Sequence, residues 1–276
     1  MIGTMDSPFK RAIFIAIVIA VNVILLFTAF LYRPEYHQQA MVILLIVIQA
    51  FIFITYFAYR KMTASRVYQI KKLKNPRLQE NTFEFSSIMQ KEFDYIREAA
   101  RQAMDDRHSM INFFLLITGA VVSFVGARVL DMDLTELTGI KGSFLVGLAI
   151  FLNIIGWIYF MHMIRLRQAW WSSAEAMNQI KEFYIVNGRV PDDIARSAFL
   201  WRKQSIPDPG KKSNVFYYSM MLISFIASAV FFFASWLVGY MHGIAQVTVF
   251  SAALGVYHFL FQISCYSLFL DYKAIR

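Results

Sequence analysis

Six runs of about twenty or more mostly apolar residues divide this 276-residue chain, near 12–32, 40–59, 110–130, 142–163, 215–238 and 244–268. At a helical rise of 1.5 Å per residue, each run covers the roughly 30 Å of a hydrocarbon core. Lipid offers backbone amides no partner, so only helices and closed barrels cross it. The runs lack the period-two alternation of barrel strands. The expectation is therefore an all-α membrane protein, a single polytopic domain over residues 1–276 with six transmembrane helices arranged as three hairpins.

Charge orients the hairpins. Of the 27 Lys and Arg residues, all but Arg33, Arg128 and Lys141 lie in the N-terminal tail, in segments 60–109 and 164–214, or in the C-terminal tail. Lys and Arg concentrate on the cytoplasmic side, which predicts that both termini and both long segments are cytoplasmic (N-in/C-in). Short outer loops then fall near 33–39, 131–141 and 239–243. A bacterial cytoplasmic membrane is the expected location. The first run is too long for a signal-peptide apolar region and lacks a small-residue cleavage site, so it is expected to stay as a span.

Composition excludes other classes. Apolar residues make up 58% of the chain and charged residues 16%, below the quarter usual in soluble domains. The net charge of +9 follows from the positive-inside bias and from attraction to the anionic inner leaflet, without invoking nucleic acid. Cys265, the only cysteine, lies inside the last run, so no disulfide framework and no Cys-based metal site is expected.

The two long segments read as a cytoplasmic helical layer. Phe85, Ile88, Met89, Phe93, Ile96, Ala100, Ala103 and Met104 recur at three- and four-residue steps, the mark of an amphipathic helix that continues into the third span. Asn81 or Thr82 can cap its start. The fourth span is expected to continue from Arg165 to about Tyr184 and to stop at Asn187-Gly188, with Trp170 and Trp171 as interfacial anchors. Pro191 with Asp192 and Asp193 starts a short helix, and a turn-rich linker holds Pro207, Pro209 and Gly210. These segments are too short for a nucleotide-binding or hydrolase domain.

No catalytic constellation is visible. Asp131-Met132-Asp133 has the form of a metal-binding carboxylate pair but lacks companions, and reads as an acidic outer loop. His37, His108, His162, His242 and His258 have no paired zinc spacing. Asp105-Asp106 beside Arg107-His108 reads as a solvated juxtamembrane face, with proton handling as the alternative. Neither cofactor nor metal is expected.

The informative polar residues lie within the spans. Thr248, Ser251, Gly255, His258, Gln262 and Cys265 follow one another at steps of three and four, so they share one face of the sixth span. Polar side chains at membrane depth avoid lipid. This stripe either packs against a neighbouring helix or lines a cavity, in which case His258 is the group able to change charge near neutral pH. Asn22, Gln49 and Asn153 are single amides in the first, second and fourth spans. Gly119, Ser123 and Gly126 give the third span a small-residue seam, and Ser224, Ser228 and Ser235 give one to the fifth. No Asp, Glu or Lys occupies mid-membrane, which disfavours a carboxylate-driven transporter.

The stretches Glu92–Ser123 (EFDYIREAARQAMDDRHSMINFFLLITGAVVS) and Ala174–Tyr184 (AEAMNQIKEFY) resemble poorly characterised bacterial multi-pass proteins. Their layout, over residues 85–190, is also similar to that of SLATT-type effectors of anti-phage systems. That resemblance implies a membrane-perforating response to a signal. The expectation is a non-enzymatic protein that self-associates as a pore or membrane-perturbing effector and answers a cytoplasmic partner or signal. The alternatives are a structural subunit of a larger membrane complex and a small-solute carrier.

Overall fold

The computed structural model describes residues 85–129, 139–187, 214–243 and 247–270 as continuous stretches, residues 15–24, and single residues at 13, between 43 and 57, and between 191 and 212. The ordered elements among the described residues are all helices: α1 (Ile15–Ile24), α2 (Phe85–Val129), α3 (Ile140–Asn187), α4 (Val215–Met241) and α5 (Val247–Phe269). The last four are long and apolar enough to cross a membrane. Most of the first two expected spans, the acidic Asp131–Asp133 loop, and Asn81 and Thr82 lie outside the described residues.

α2 and α3 are each one unbroken helix, of 45 and 48 residues. At 1.5 Å per residue they reach about 70 Å, more than twice a hydrocarbon core. The amphipathic segment therefore runs straight into the third expected span, and the fourth expected span runs straight out to Asn187. The two helices pack along one another. Ile96, Ala100 and Ala103 are buried on α2, and Ile164, Trp171, Ala174 and Ile180 on α3. Trp171 is thus enclosed by protein rather than turned to a lipid interface, while Trp170 lies under the Arg167 guanidinium, 4.6 Å from its ring centroid. The opposite face of α2 carries exposed pairs, Arg97 with Asp94 and Arg101 with Glu98 and Asp105. Such pairs add only a few tenths of a kcal/mol each.

Helix ends follow local chemistry. Gly139 at φ +79° precedes α3, and its carbonyl accepts both the amide and the hydroxyl of Ser143, each at 3.0 Å. Asn214 caps α4, its side chain accepting the Tyr217 amide at 2.9 Å. Gly243, at φ +65°, turns the chain after α4 and donates its N–H to Tyr240 O. Left-handed backbone of this kind favours glycine. α4 packs against both α3 and α5. The largest apolar core joins Phe160, Met163 and Ile164 of α3, Phe216, Met220 and Ile223 of α4, and Phe261 and Tyr266 of α5. Val18 of α1 and Phe53 reach this core, Phe53 with its ring 6.0 Å from that of Phe261.

The α2–α3 pair makes an expected result specific. Phe93 is only half-buried, whereas Ala103 is 4% exposed. Ala103→Asp is expected to cost about 3 kcal/mol or more, because an unsatisfied neutral group costs roughly 1–3 kcal/mol and a charge costs more. Lys91→Asp, on the exposed side, is expected to stay within about 0.5 kcal/mol. Thermal unfolding of the detergent-solubilised variants measures both. Equal tolerance would mean that the helix does not dock through this face.

Candidate functional site

The polar stripe, which lies on α5, meets the serines of α4. α4 and α5 are antiparallel and joined by a short turn, so residues equally far from that turn lie level with one another. Ser228 faces His258, and by the same register Ser235 lies level with Ser251 and Ser224 with Gln262. Ser224, Ser228, Ser235, Ser251, His258 and Gln262 are all buried. Gly255 makes the close approach possible: a Cβ there would lie 3.1 Å from the Phe232 Cβ. Cys265 continues the buried face, whereas Thr248, at the start of the helix, is exposed. Phe261, on a flank away from the stripe, is also buried, because α5 packs on more than one side.

His258 is the centre of this seam. It is 1% exposed. Ser228 Oγ lies 2.9 Å from Nδ1, and Trp157 Nε1 donates to Nε2 at 3.1 Å. Asn153 Nδ2 approaches Nε2 at 3.5 Å and donates to the Ala227 carbonyl at 2.9 Å. Phe231 stacks on the imidazole with centroids 4.9 Å apart, and Trp157 meets it edge-on at 5.5 Å.

A serine hydroxyl within hydrogen-bond reach of a histidine is the geometry of an activated nucleophile, and sequence spacing had offered no such pair at this depth. The partners on the other nitrogen decide its chemistry. An indole N–H can only donate, so Nε2 must accept and the neutral ring carries its proton on Nδ1. Nδ1–H then donates to Ser228 Oγ. A general base would need the reverse, a bare Nδ1 taking the serine proton. The tautomer assigned by Trp157 is that of a structural crosslink.

The single amides join the same framework. Asn153 ties α3 to α4 and reaches α5. Asn22 Nδ2 donates to Gln49 Oε1 at 2.6 Å, and Tyr257 OH donates to the same oxygen at 3.3 Å. Asn22, Gln49 and α5 are thereby linked. Two members of the stripe lack partners among the described residues: Ser251 Oγ and both amide atoms of Gln262 are buried without a hydrogen bond. Gln262 is fully buried. Trp157 and Tyr257, which complete the network, resemble ordinary aromatic residues of a span in the sequence. Their only signal was a donor group at membrane depth.

Other candidate features stay apart. On α2, Gly119 and Gly126 have no atom within 4 Å of a built Cβ, and Ser123 is exposed, so that seam meets no neighbour among the described residues. A cleft of about 370 Å³ between α2, α3 and α4 is lined by Val121, Val125, Leu148, Leu152, Phe225 and Val230 among others. All its lining residues are apolar or glycine, so nothing there orients a polar solute. No cluster of three or more metal-ligating side chains occurs among the described residues. The run Asp105 to His108 divides, with both aspartates and His108 exposed and Arg107 buried. No family model matches the chain, and no curated protein or solved structure matches it either.

Proposed function

We propose that this is a non-enzymatic integral membrane protein with six spans and cytoplasmic termini, in a bacterial cytoplasmic membrane. It self-associates as a pore or membrane-perturbing effector that answers a cytoplasmic partner or signal. The observation that carries this reading is the continuity of α2 and α3. Each passes without a break from a buried two-helix layer into an apolar span. A displacement of the layer is then delivered to the membrane segments as a rigid-body movement, the kind of discrete coupling that packed helices allow.

A second observation supports self-association. The apolar window of α2 has 11% of its residues buried, against 33–44% for the other three long helices. Leu116 and Phe124 are exposed there beside Gly119 and Ser123. Exposed small residues on a span permit close helix contact. The seam of α4 and α5 acts as a packing core in this reading, since His258 is bonded through both nitrogens. The wholly apolar cleft gives the carrier alternative no support.

The test is reconstitution of Cys265→Ser protein carrying Leu116→Cys into liposomes. Disulfide-linked dimers and leak of an entrapped ion are expected, with the leak changed by cross-linking. Protein that forms neither dimers nor a leak, yet purifies with a larger complex, would instead be an assembly subunit.

A further inference from the structure

Arg107 stands in an unusual position. It lies three residues before the third expected span, near 110–130, and is 3% exposed. Its Nε–H is buried and has no hydrogen-bond partner among the described residues. Nη2 meets the exposed His108 ring at 2.8 Å, and the guanidinium carbon sits 4.9 Å from the Phe216 ring centroid. No carboxylate among the described residues pairs with it. A guanidinium removed from water without a counter-charge is costly, and a cation–π contact offsets only part of that cost.

The surroundings add positive character. Phe216 is the second residue of α4, so its ring brings Arg107 to the N-terminal end of a 27-residue helix, whose dipole favours an anion although Asn214 already accepts the Tyr217 amide there. Arg167, also 3% exposed, approaches the same ring at 5.6 Å while its Nε–H donates to the Pro209 carbonyl at 2.9 Å. Two buried guanidiniums and a helix N-terminus thus converge on one aromatic side chain, which on the membrane reading proposed above lies at the end of the third expected span.

We propose that Arg107, with the first turn of α4 and Arg167 across Phe216, forms a binding site for a phosphate group. The planar guanidinium matches phosphate oxygens in bidentate fashion. Its open Nε–H supplies one donor, and Nη2 supplies the second when a phosphate oxygen replaces the His108 ring. The group can come from an anionic phospholipid headgroup entering at the end of the spans or from a phosphorylated solute. The level of the site favours the lipid.

The experiment uses the full chain in detergent. Its melting midpoint is followed during titration with short-chain phosphatidylglycerol, with phosphatidylcholine of the same chain length, and with inorganic phosphate against chloride at equal ionic strength. A stabiliser of the folded state raises the midpoint by mass action. Phosphatidylglycerol is expected to raise it by several degrees in the natural protein and in Arg101→Gln, which loses the same charge on an exposed face, and to have no effect in Arg107→Gln. The same pattern with inorganic phosphate alone would assign the site to a free phosphorylated ligand. No anion effect on the natural protein, or equal loss in Arg101→Gln and Arg107→Gln, would overturn the site in favour of general charge attraction. Should Arg107→Gln not fold, Arg107→Lys provides the comparison: it keeps the charge but not the fork, and an undiminished response there would also overturn the proposal.

Discussion

Gly156→Leu should separate α3 from α4 and leave the chain unable to hold its native bundle. A Cβ built on Gly156 lies only 2.8 Å from the Cβ of Ala227, so even the smallest side chain collides at this crossing. Gly156→Ala is expected to cost about 1–3 kcal/mol, the usual range for overpacking a tight interior. Leucine adds three more carbons at the same crossing. The damage should spread, because the Ala227 carbonyl accepts the Asn153 amide one turn away from Gly156. Moving α4 outward lengthens that bond and draws Ser228 from His258. A paired substitution makes the result specific. Ala227→Gly should restore most of the stability lost in Gly156→Ala by removing the colliding carbon from the other side, a coupling of the kind that contacting residues show. Unfolding of the four proteins in detergent gives the coupling energy. Tolerance of Gly156→Leu, or independent effects of the two small substitutions, would show that the helices do not cross at this point.

The glycines explain where sequence reading reaches its limit. Gly119, Gly126 and Gly156 all stand in apolar runs, the first two beside other small residues and Gly156 between Ile155 and Trp157. Periodicity shows that a helix carries a smooth face, but not whether another helix lies on it. Gly156 meets Ala227, whereas the two glycines of α2 meet open space. The existence of the long helices is legible because each contains an apolar run long enough to cross a hydrocarbon core, although α2 and α3 continue well beyond that length. The docking face of α2 is legible for a similar reason, since Ile96, Ala100 and Ala103 keep one helical period and are buried together. Arg107 is the opposite case. It sits in a charged run whose natural reading is a solvated surface, and its burial depends on a fold of the chain that brings the first turn of α4 beside it.

The stripe on α5 is half legible. Steps of three and four place Ser251, Gly255, His258 and Gln262 on one face, and the short turn before α5 brings the serines of α4 level with them. What the pattern cannot supply is Trp157, on a helix distant in the chain, whose N–H sets the tautomer of His258. That bond separates a crosslink from a serine–histidine nucleophile pair.

Opposite outcomes are expected at the two largest polar groups of the seam. His258→Phe keeps a ring to stack on Phe231 but leaves Trp157 Nε1–H and Ser228 Oγ without their partner. A single interhelical hydrogen bond in a membrane protein is worth only about 0.6 kcal/mol on average. Two groups orphaned inside a buried interface cost more, since each unsatisfied buried group carries roughly 1–3 kcal/mol. A loss of about 2–3 kcal/mol follows, with shared relaxation keeping it below the sum. Gln262→Leu removes an amide whose oxygen and nitrogen are both buried without partners. Replacing it with an apolar side chain of similar volume relieves that penalty, so the variant should be as stable as the natural protein or more so. The pair is measured by unfolding in detergent and by liposome leak. If the natural protein leaks and Gln262→Leu is stable but silent, the unpartnered amide serves the activity rather than the fold. Labelling of Ser228 by a serine-directed phosphonate, abolished in Ser228→Ala, would contradict the tautomer that Trp157 dictates and with it the structural reading of the seam.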